Sequence, residues 1–287
     1  MENKEIIRYS DDNYLQRYKQ IFVDIPEINE FYFKLDEPVN YKELTFYPVK
    51  MKFYLFFKIF ASCLTLEKNK VPNVKIIKMK YLDYLFLDDK ELKIDNTIYK
   101  SYLRELLLIC LRLPTEFYTP NGDKKNTIDF IFQDGHWLIR IYNNTYNHND
   151  FMKMRDIICK QNLIDLPDET IHPDLLKKYN SWKSFMKKTG RLKEQDIEDL
   201  IMCVCAETSY TEKQIKEMSI RFFFNLLDRI GFIMQYKINS LLSPHLDEKT
   251  VKKLPNWTDK IKKLNMLEEM GLDLQDFENG IKNKGSK

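Results

Sequence analysis

The stretch TEKQIKEMSIRFFFNLLDRIGFIMQYKINSLL, residues 211–242, decides how the fold is read. Thr211 followed three positions later by Gln214 has the form of a capping box, and no proline interrupts the run before Pro244. Helical throughout, it would extend about 48 Å at ~1.5 Å per residue. Two apolar tracks run along it at steps of three and four. One is Ile215, Met218, Phe222, Leu226, Ile230 and Ile233; the other is Ser219, Phe223, Leu227, Ile230, Met234, Ile238 and Leu241. A helix apolar on most of its circumference is expected to be a buried core element. The polar residues collect in one narrow stripe of Glu217, Arg221, Asn225, Asp228, Gln235 and Asn239. Glu217 and Arg221 stand at i,i+4 in the favourable order for an ion pair. Gly231 costs about 1 kcal/mol relative to alanine in a helix, which points to a close-crossing helix there.

The rest of the chain reads as further helices around a small antiparallel sheet. Residues 11–22 form a short amphipathic helix, and residues 31–35 and 44–49 form short extended segments around Pro38. Strongly apolar helices are expected over 50–66 and 74–87, and another runs from a cap at Asp95 or Asn96 through Leu111 to Pro114. Residues 116–142 alternate in a β pattern punctuated by Asn121-Gly122 and Asp134-Gly135, the dipeptides of tight hairpin turns, and predict a three-stranded meander. Asn147 to Asp150 cap a helix over 151–161, Pro173 opens the next, and 194–207 is amphipathic. A last helix is expected near 257–270, before a lysine- and glycine-rich tail. The fold class is mainly α with a small antiparallel β-meander, an α+β chain whose helical core surrounds one long buried helix. Its expected divisions are 1–46, 47–242 and 243–287.

Composition narrows the function classes. With 46 basic and 43 acidic residues, the net charge of +3 argues against a dedicated nucleic-acid binder. The longest apolar run, residues 53–66, contains Lys58 and falls short of the ~20 residues a membrane span needs. With no signal-peptide pattern at the start, a cytoplasmic location is expected. Five cysteines, Cys63, Cys110, Cys159, Cys203 and Cys205, are odd in number and lie in apolar helical contexts, so buried free thiols are expected rather than disulfides or a metal site. Phosphate-loop, dinucleotide, zincin and nucleophile-elbow motifs are all missing. His136, His148, His172 and His245 are scattered, and Asp129 and Asp134 lack the lysine of a metal nuclease, with Arg140 among apolar neighbours instead. No enzyme activity, cofactor or metal is expected. Candidate binding residues lie in the segment 177–193, where Lys178, Lys183, Lys187 and Lys188 interleave with Trp182 and Phe185.

Several phrases resemble a family of tail proteins of bacteriophages that infect low-GC Gram-positive bacteria. They are Tyr47-Pro48-Val49 before an apolar helix, Val71-Pro72-Asn73 followed by residues 76–82, and Asn149-Asp150-Phe151 leading to residues 157–162. Residues 168–171 leading to Pro173-Asp174-Leu175, and Met218-Ser219-Ile220-Arg221 before Asp228, complete the set. The resemblance covers about residues 47–242, and the sequence departs from the pattern beyond Leu242. It implies a tail-assembly chaperone, adaptor or structural protein for tape-measure or baseplate-hub proteins, acting in the host cytoplasm or held in the virion tail. The implied partner is an amphipathic helix engaging Glu217, Arg221, Asn225 and Asp228 together with the 177–193 segment. The alternative is a nucleic-acid-associated phage protein that uses the basic-aromatic segment.

Overall fold

The computed structural model describes residues 36–68, 73–167, 173–189 and 196–245, with residues 251 and 254. The expected helices over 11–22 and 257–270, the extended segment over 31–35 and His172 lie outside them. The protein is mainly helical with small antiparallel sheets of two or three strands. It forms two compact units, residues 1–167 with 216–223, and residues 168–215 with 224–287. The 47–242 segment is therefore shared between both.

The first unit starts with a hairpin, β1 (Val39–Tyr41) and β2 (Leu44–Phe46), turned at Lys42, whose φ is +52°. The expected helix over 50–66 is a 3-10 turn, Met51–Phe53, then α1 (Tyr54–Phe60), then a second 3-10 turn, Ala61–Leu64. The expected helix over 74–87 is likewise divided, into α2 (Val74–Lys78) and α3 (Tyr81–Leu85), because Met79 and Lys80 are extended. Lys68 Nζ donates to the Ile77 and Met79 carbonyls at this break, at 3.3 and 3.1 Å. A two-residue pair, β3 (Asp88–Asp89) and β4 (Ile94–Asp95), leads to α4 (Ile98–Leu111). The Asp95 carboxylate accepts from the Thr97 N–H at 3.1 Å near the start of α4, and Arg112 at φ +53° ends it.

The meander has more strands than the alternation predicts. β5 (Glu116–Tyr118) and β6 (Lys124–Asn126) form a separate hairpin around Gly122, whose φ is +85°. β7 (Ile128–Gln133), β8 (His136–Ile141) and β9 (Asn144–Tyr146) form the three-stranded sheet. Asp134 and Gly135 both have positive φ, as a two-residue hairpin loop requires. Register places Ile128 opposite Ile141 and Phe130 opposite Ile139, all buried, and Asp129 opposite Arg140. Arg140 is therefore ion-paired to Asp129 at 2.6 Å and does not stand among apolar neighbours alone.

Helix α5 (His148–Gln161) follows. Asn147 Oδ1 accepts from the N–H groups of Asn149 and Asp150, and the Asp150 carboxylate accepts from the Asn147 N–H, closing a capping box. Asp150 also accepts from the Tyr41 hydroxyl at 2.8 Å and pairs with Lys42 at 2.6 Å. Burial pushes its carboxyl pKa up, but these bonds outweigh burial and hold it below the usual value. The core joins α3, α4, α5 and the sheet through Leu82, Leu85, Leu106, Ile139, Phe151 and Met154. Within it Arg155 donates from Nε to the Leu64 carbonyl at 2.7 Å and lies 3.9 Å from the Tyr81 ring centroid. Cys63, Cys110 and Cys159 are buried there, and burial raises all three thiol pKa values, Cys159 to about 12. Cys203 is exposed and Cys205 half-buried, contrary to the expectation of five buried thiols.

The second unit contains α6 (Pro173–Lys188) and α7 (Ile197–Glu207), the latter capped by the Asp196 carboxylate. The stretch 211–242 is two helices rather than one, α8 (Glu212–Glu217) and α9 (Ile220–Leu242). Thr211 and Gln214 make the expected reciprocal cap, but it starts a helix of six residues. Ser219 then forms a β-bridge with Lys50, and its Oγ accepts from the Phe222 N–H at 2.9 Å, capping a new helix. In α9 the buried residues are Ile220 and Phe223, and beyond them the expected long buried helix is half-buried on one side, at Leu226, Leu227, Ile230 and Ile233, and exposed on the other. Nothing lies within 4 Å of a Cβ built on Gly231, which removes the reason for a close-crossing helix.

Candidate functional site

The clip around Ser219 determines what the predicted stripe can do. The Met51 N–H donates to the Met218 carbonyl and the Ile220 N–H to the Val49 carbonyl, both at 2.8 Å, so Ser219 and Lys50 meet in a single antiparallel β-bridge. The interruption turns Glu217 toward Lys50 and Lys52, whose ammonium groups lie 2.5 and 2.8 Å from its carboxylate oxygens. Hydrogen bonds from Lys50, then from Lys52, lower the Glu217 pKa to about 2. Arg221 donates from a terminal guanidinium nitrogen to the Lys160 carbonyl at 2.5 Å. The expected i,i+4 pair of Glu217 with Arg221 is thus replaced by contacts that fasten both residues to the first unit. Asp36 is held in the same region; burial raises its pKa, while a hydrogen bond with Ser219 and the Arg221 charge oppose the rise.

Asn225 and Asp228 lie on α9 beyond the clip, exposed and within the second unit. Helix α6 carries the basic-aromatic group. Lys178, Lys183, Lys187 and Lys188 are exposed, and Phe185 is 57% exposed. Trp182 is half-buried and stacks on Tyr179 at 5.8 Å between centroids, with Lys183 Nζ 5.5 Å from the Tyr179 centroid. Of the ten candidate residues, Glu217 and Arg221 belong to the first unit and the other eight to the second.

Two apolar surfaces were missed at the sequence level. On α9, Met234, Ile238 and Leu241 are exposed and recur at steps of four and three. The spacing is visible in the sequence, but a core track and an exposed one look alike there, because exposure depends on what distant chain covers it. The second surface is on α1, where seven residues are nearly all apolar and Leu55, Phe56 and Ile59 are more than half exposed. A short helix apolar all round exceeds what one packed face can hide, and that excess was the available signal. Beside it a cleft of about 370 Å³ is lined by Val49, Lys50, Lys52, Phe53, Ile109 and Arg112, among others.

The titratable groups elsewhere have structural partners. His136 Nδ1 lies 2.7 Å from the Asp83 carboxylate, which also accepts from the Trp137 N–H at 2.8 Å. His148 is in the first turn of α5, its pKa lowered by burial and by nearby Lys80. Among the described residues no group of three His, Cys, Asp or Glu is placed to hold a metal ion, and no helix is long and apolar enough to cross a membrane.

Residues 187–262 match the family model described as the YomV second domain. YomV is a Bacillus phage-region protein, so this similarity is consistent with a phage protein family. The match spans α7, α8 and α9 and runs past Leu242, where the sequence pattern was expected to depart. No curated protein and no solved structure matches the chain.

Proposed function

We propose that the protein is a non-enzymatic phage tail-assembly or structural protein that binds an amphipathic helix of a tape-measure or baseplate-hub protein. The observation that carries this reading is the exposed line of Met234, Ile238 and Leu241 on α9, within the residues similar to a phage-region domain. Exposed apolar side chains at i, i+4 and i+7 present the face that packs against a partner helix, and methionine adapts its shape to the partner. Asn225 and Asp228 would supply the polar edge. On α6, Phe185 with Lys183, Lys187 and Lys188 would form a second contact. Glu217 and Arg221, engaged in the clip, would hold the start of α9 in place for that contact.

The test is capture by the tagged full-length protein from phage-producing cells at moderate salt. Wild type is expected to retain a tape-measure or baseplate-hub protein. The Met234→Asp/Ile238→Asp variant, with an unchanged circular dichroism spectrum, is expected to lose it. Recovery of nucleic acid without tail proteins, weakening log-linearly with salt, would overturn the reading. The basic residues of α6 would then be the site, although Tyr179 and Trp182 already stack on each other and leave less aromatic surface for bases.

A further inference from the structure

The cleft of about 370 Å³ lies within the first unit, between the 3-10 turn Met51–Phe53 with the residues just before it and the C-terminal end of α4. Five of its eight lining residues are apolar, among them Val49, Phe53 and Ile109, and the other three are Lys50, Lys52 and Arg112. Among the described residues no hydroxyl, amide or carboxyl side chain lines it. A ligand there meets cations for a negative group and apolar surface for the rest, with nothing to bond the hydroxyls of a sugar or the edge of a base. The volume is at the small end of the roughly 300–1,000 Å³ of small-molecule sites.

Arg112 is held in position. Its φ of +53° ends α4, its N–H donates to the Ile109 carbonyl at 3.4 Å, and its guanidinium carbon lies 4.2 Å from the Tyr47 ring centroid. A guanidinium over a ring face keeps its N–H donors on its edge, where they match the two oxygens of a carboxylate. Among the described residues no carboxylate pairs with it. The two lysines already show the kind of anion that suits this end of the cleft. Lys50 and Lys52 each hold one oxygen of the same carboxylate, that of Glu217, at 2.5 and 2.8 Å. One positive charge of the lysine pair is left over, and Arg112 adds a second. The geometry points to a ligand that is a monocarboxylate on an apolar chain, the chemistry of a medium-chain fatty acid, with its carboxylate on Arg112 and its chain along Phe53 and Ile109. This site stands apart from the tail-assembly reading, and either can fail alone.

Calorimetric titration of the full-length protein with octanoate, acetate and AMP tests the assignment. Octanoate is expected to saturate one site with a Kd of about 1 mM or below. Acetate, which has the charge without the chain, should bind at least about 10-fold more weakly. Arg112→Gln should weaken octanoate about 10-fold or more by removing a charge-assisted bond. Ile109→Trp, which fills the cleft and keeps all three cations, should abolish binding, and Glu217→Gln, which removes the competing carboxylate, should tighten it. Circular dichroism establishes that each variant is folded. Should Ile109→Trp unfold the protein, Arg112→Gln decides, because it alters an exposed side chain. No saturable octanoate binding up to about 10 mM, or acetate or AMP binding as tightly as octanoate, would overturn the proposal. An octanoate affinity unchanged in Arg112→Gln would place the chain on another apolar surface, such as the exposed face of α1, and overturn it as well.

Discussion

Helix α4 buries Leu103, Leu106, Leu107, Leu108, Cys110 and Leu111, whereas α9, longer and also rich in apolar residues, buries Ile220 and Phe223 in its first turn. In α4, α1, β2 and β7 pack along the helix, each contributed by a different part of the sequence. The start of α9 is fixed by the backbone bonds to Val49 and Met51, and the exposed residues on its following turns include Met234, Ile238 and Leu241. The pair shows that apolar periodicity specifies a face, and that long-range neighbours decide whether the face becomes core or contact surface.

The largest effect is expected in α4. Leu106 is fully buried, so Leu106→Ala should cost about 3 kcal/mol through lost transfer energy and a residual cavity, measured by chemical denaturation. A loss below about 1 kcal/mol would show that α4 is not the core element. Next is the α5 cap. Asp150→Asn removes a buried charge that accepts from Tyr41 and Asn147 and pairs with Lys42, and should cost about 2 kcal/mol near neutral pH. Because the Asp150 pKa in the folded state lies below its ordinary 3.8, its contribution is present above that value and is lost as pH falls through the folded pKa. The variant should therefore lose less stability than wild type when both are acidified below pH 3.8. An unchanged acid limb would detach Asp150 from it.

On the exposed face of α9 the effects are smaller. Gly231 is helical with open space around it, so Gly231→Ala should stabilise by about 1 kcal/mol; destabilisation would mean that something covers this turn. Ile238→Ala should change stability by less than about 0.5 kcal/mol, and a core-sized loss in thermal melts would place α9 in the interior after all.

Local chemistry made much of the fold legible. The reciprocal bonds of Asn147 and Asp150, the positive φ of Asp134 and Gly135, and the Thr211–Gln214 cap all act within four residues, and each was readable. Ser219 was also a local cap signal, but the continuous apolar tracks on either side concealed it. What could not be read was pairing across the chain: Lys50 and Lys52 with Glu217, Arg221 with the Lys160 carbonyl, and the divided helix over 74–87. Those contacts engage Glu217 and Arg221 with residues far away in the sequence. The exposed face of α1 was hidden for the opposite reason, since its sequence looked more like core than any other segment.

The clip at Ser219 has a consequence for synthesis. Lys50 and Glu217 are separated by 167 residues, and the bonds that fix Val49 and Met51 come from Ile220 and Met218. At about 5–20 residues per second, the ribosome supplies those partners roughly 8–35 s after residues 49–51 emerge. Until then the nascent first unit has one edge unzipped, and the second unit's leading helices are translated before the first is complete. Folding of this chain is thus interleaved in time rather than sequential, and a translational pause after about residue 170 would lengthen the life of an open intermediate.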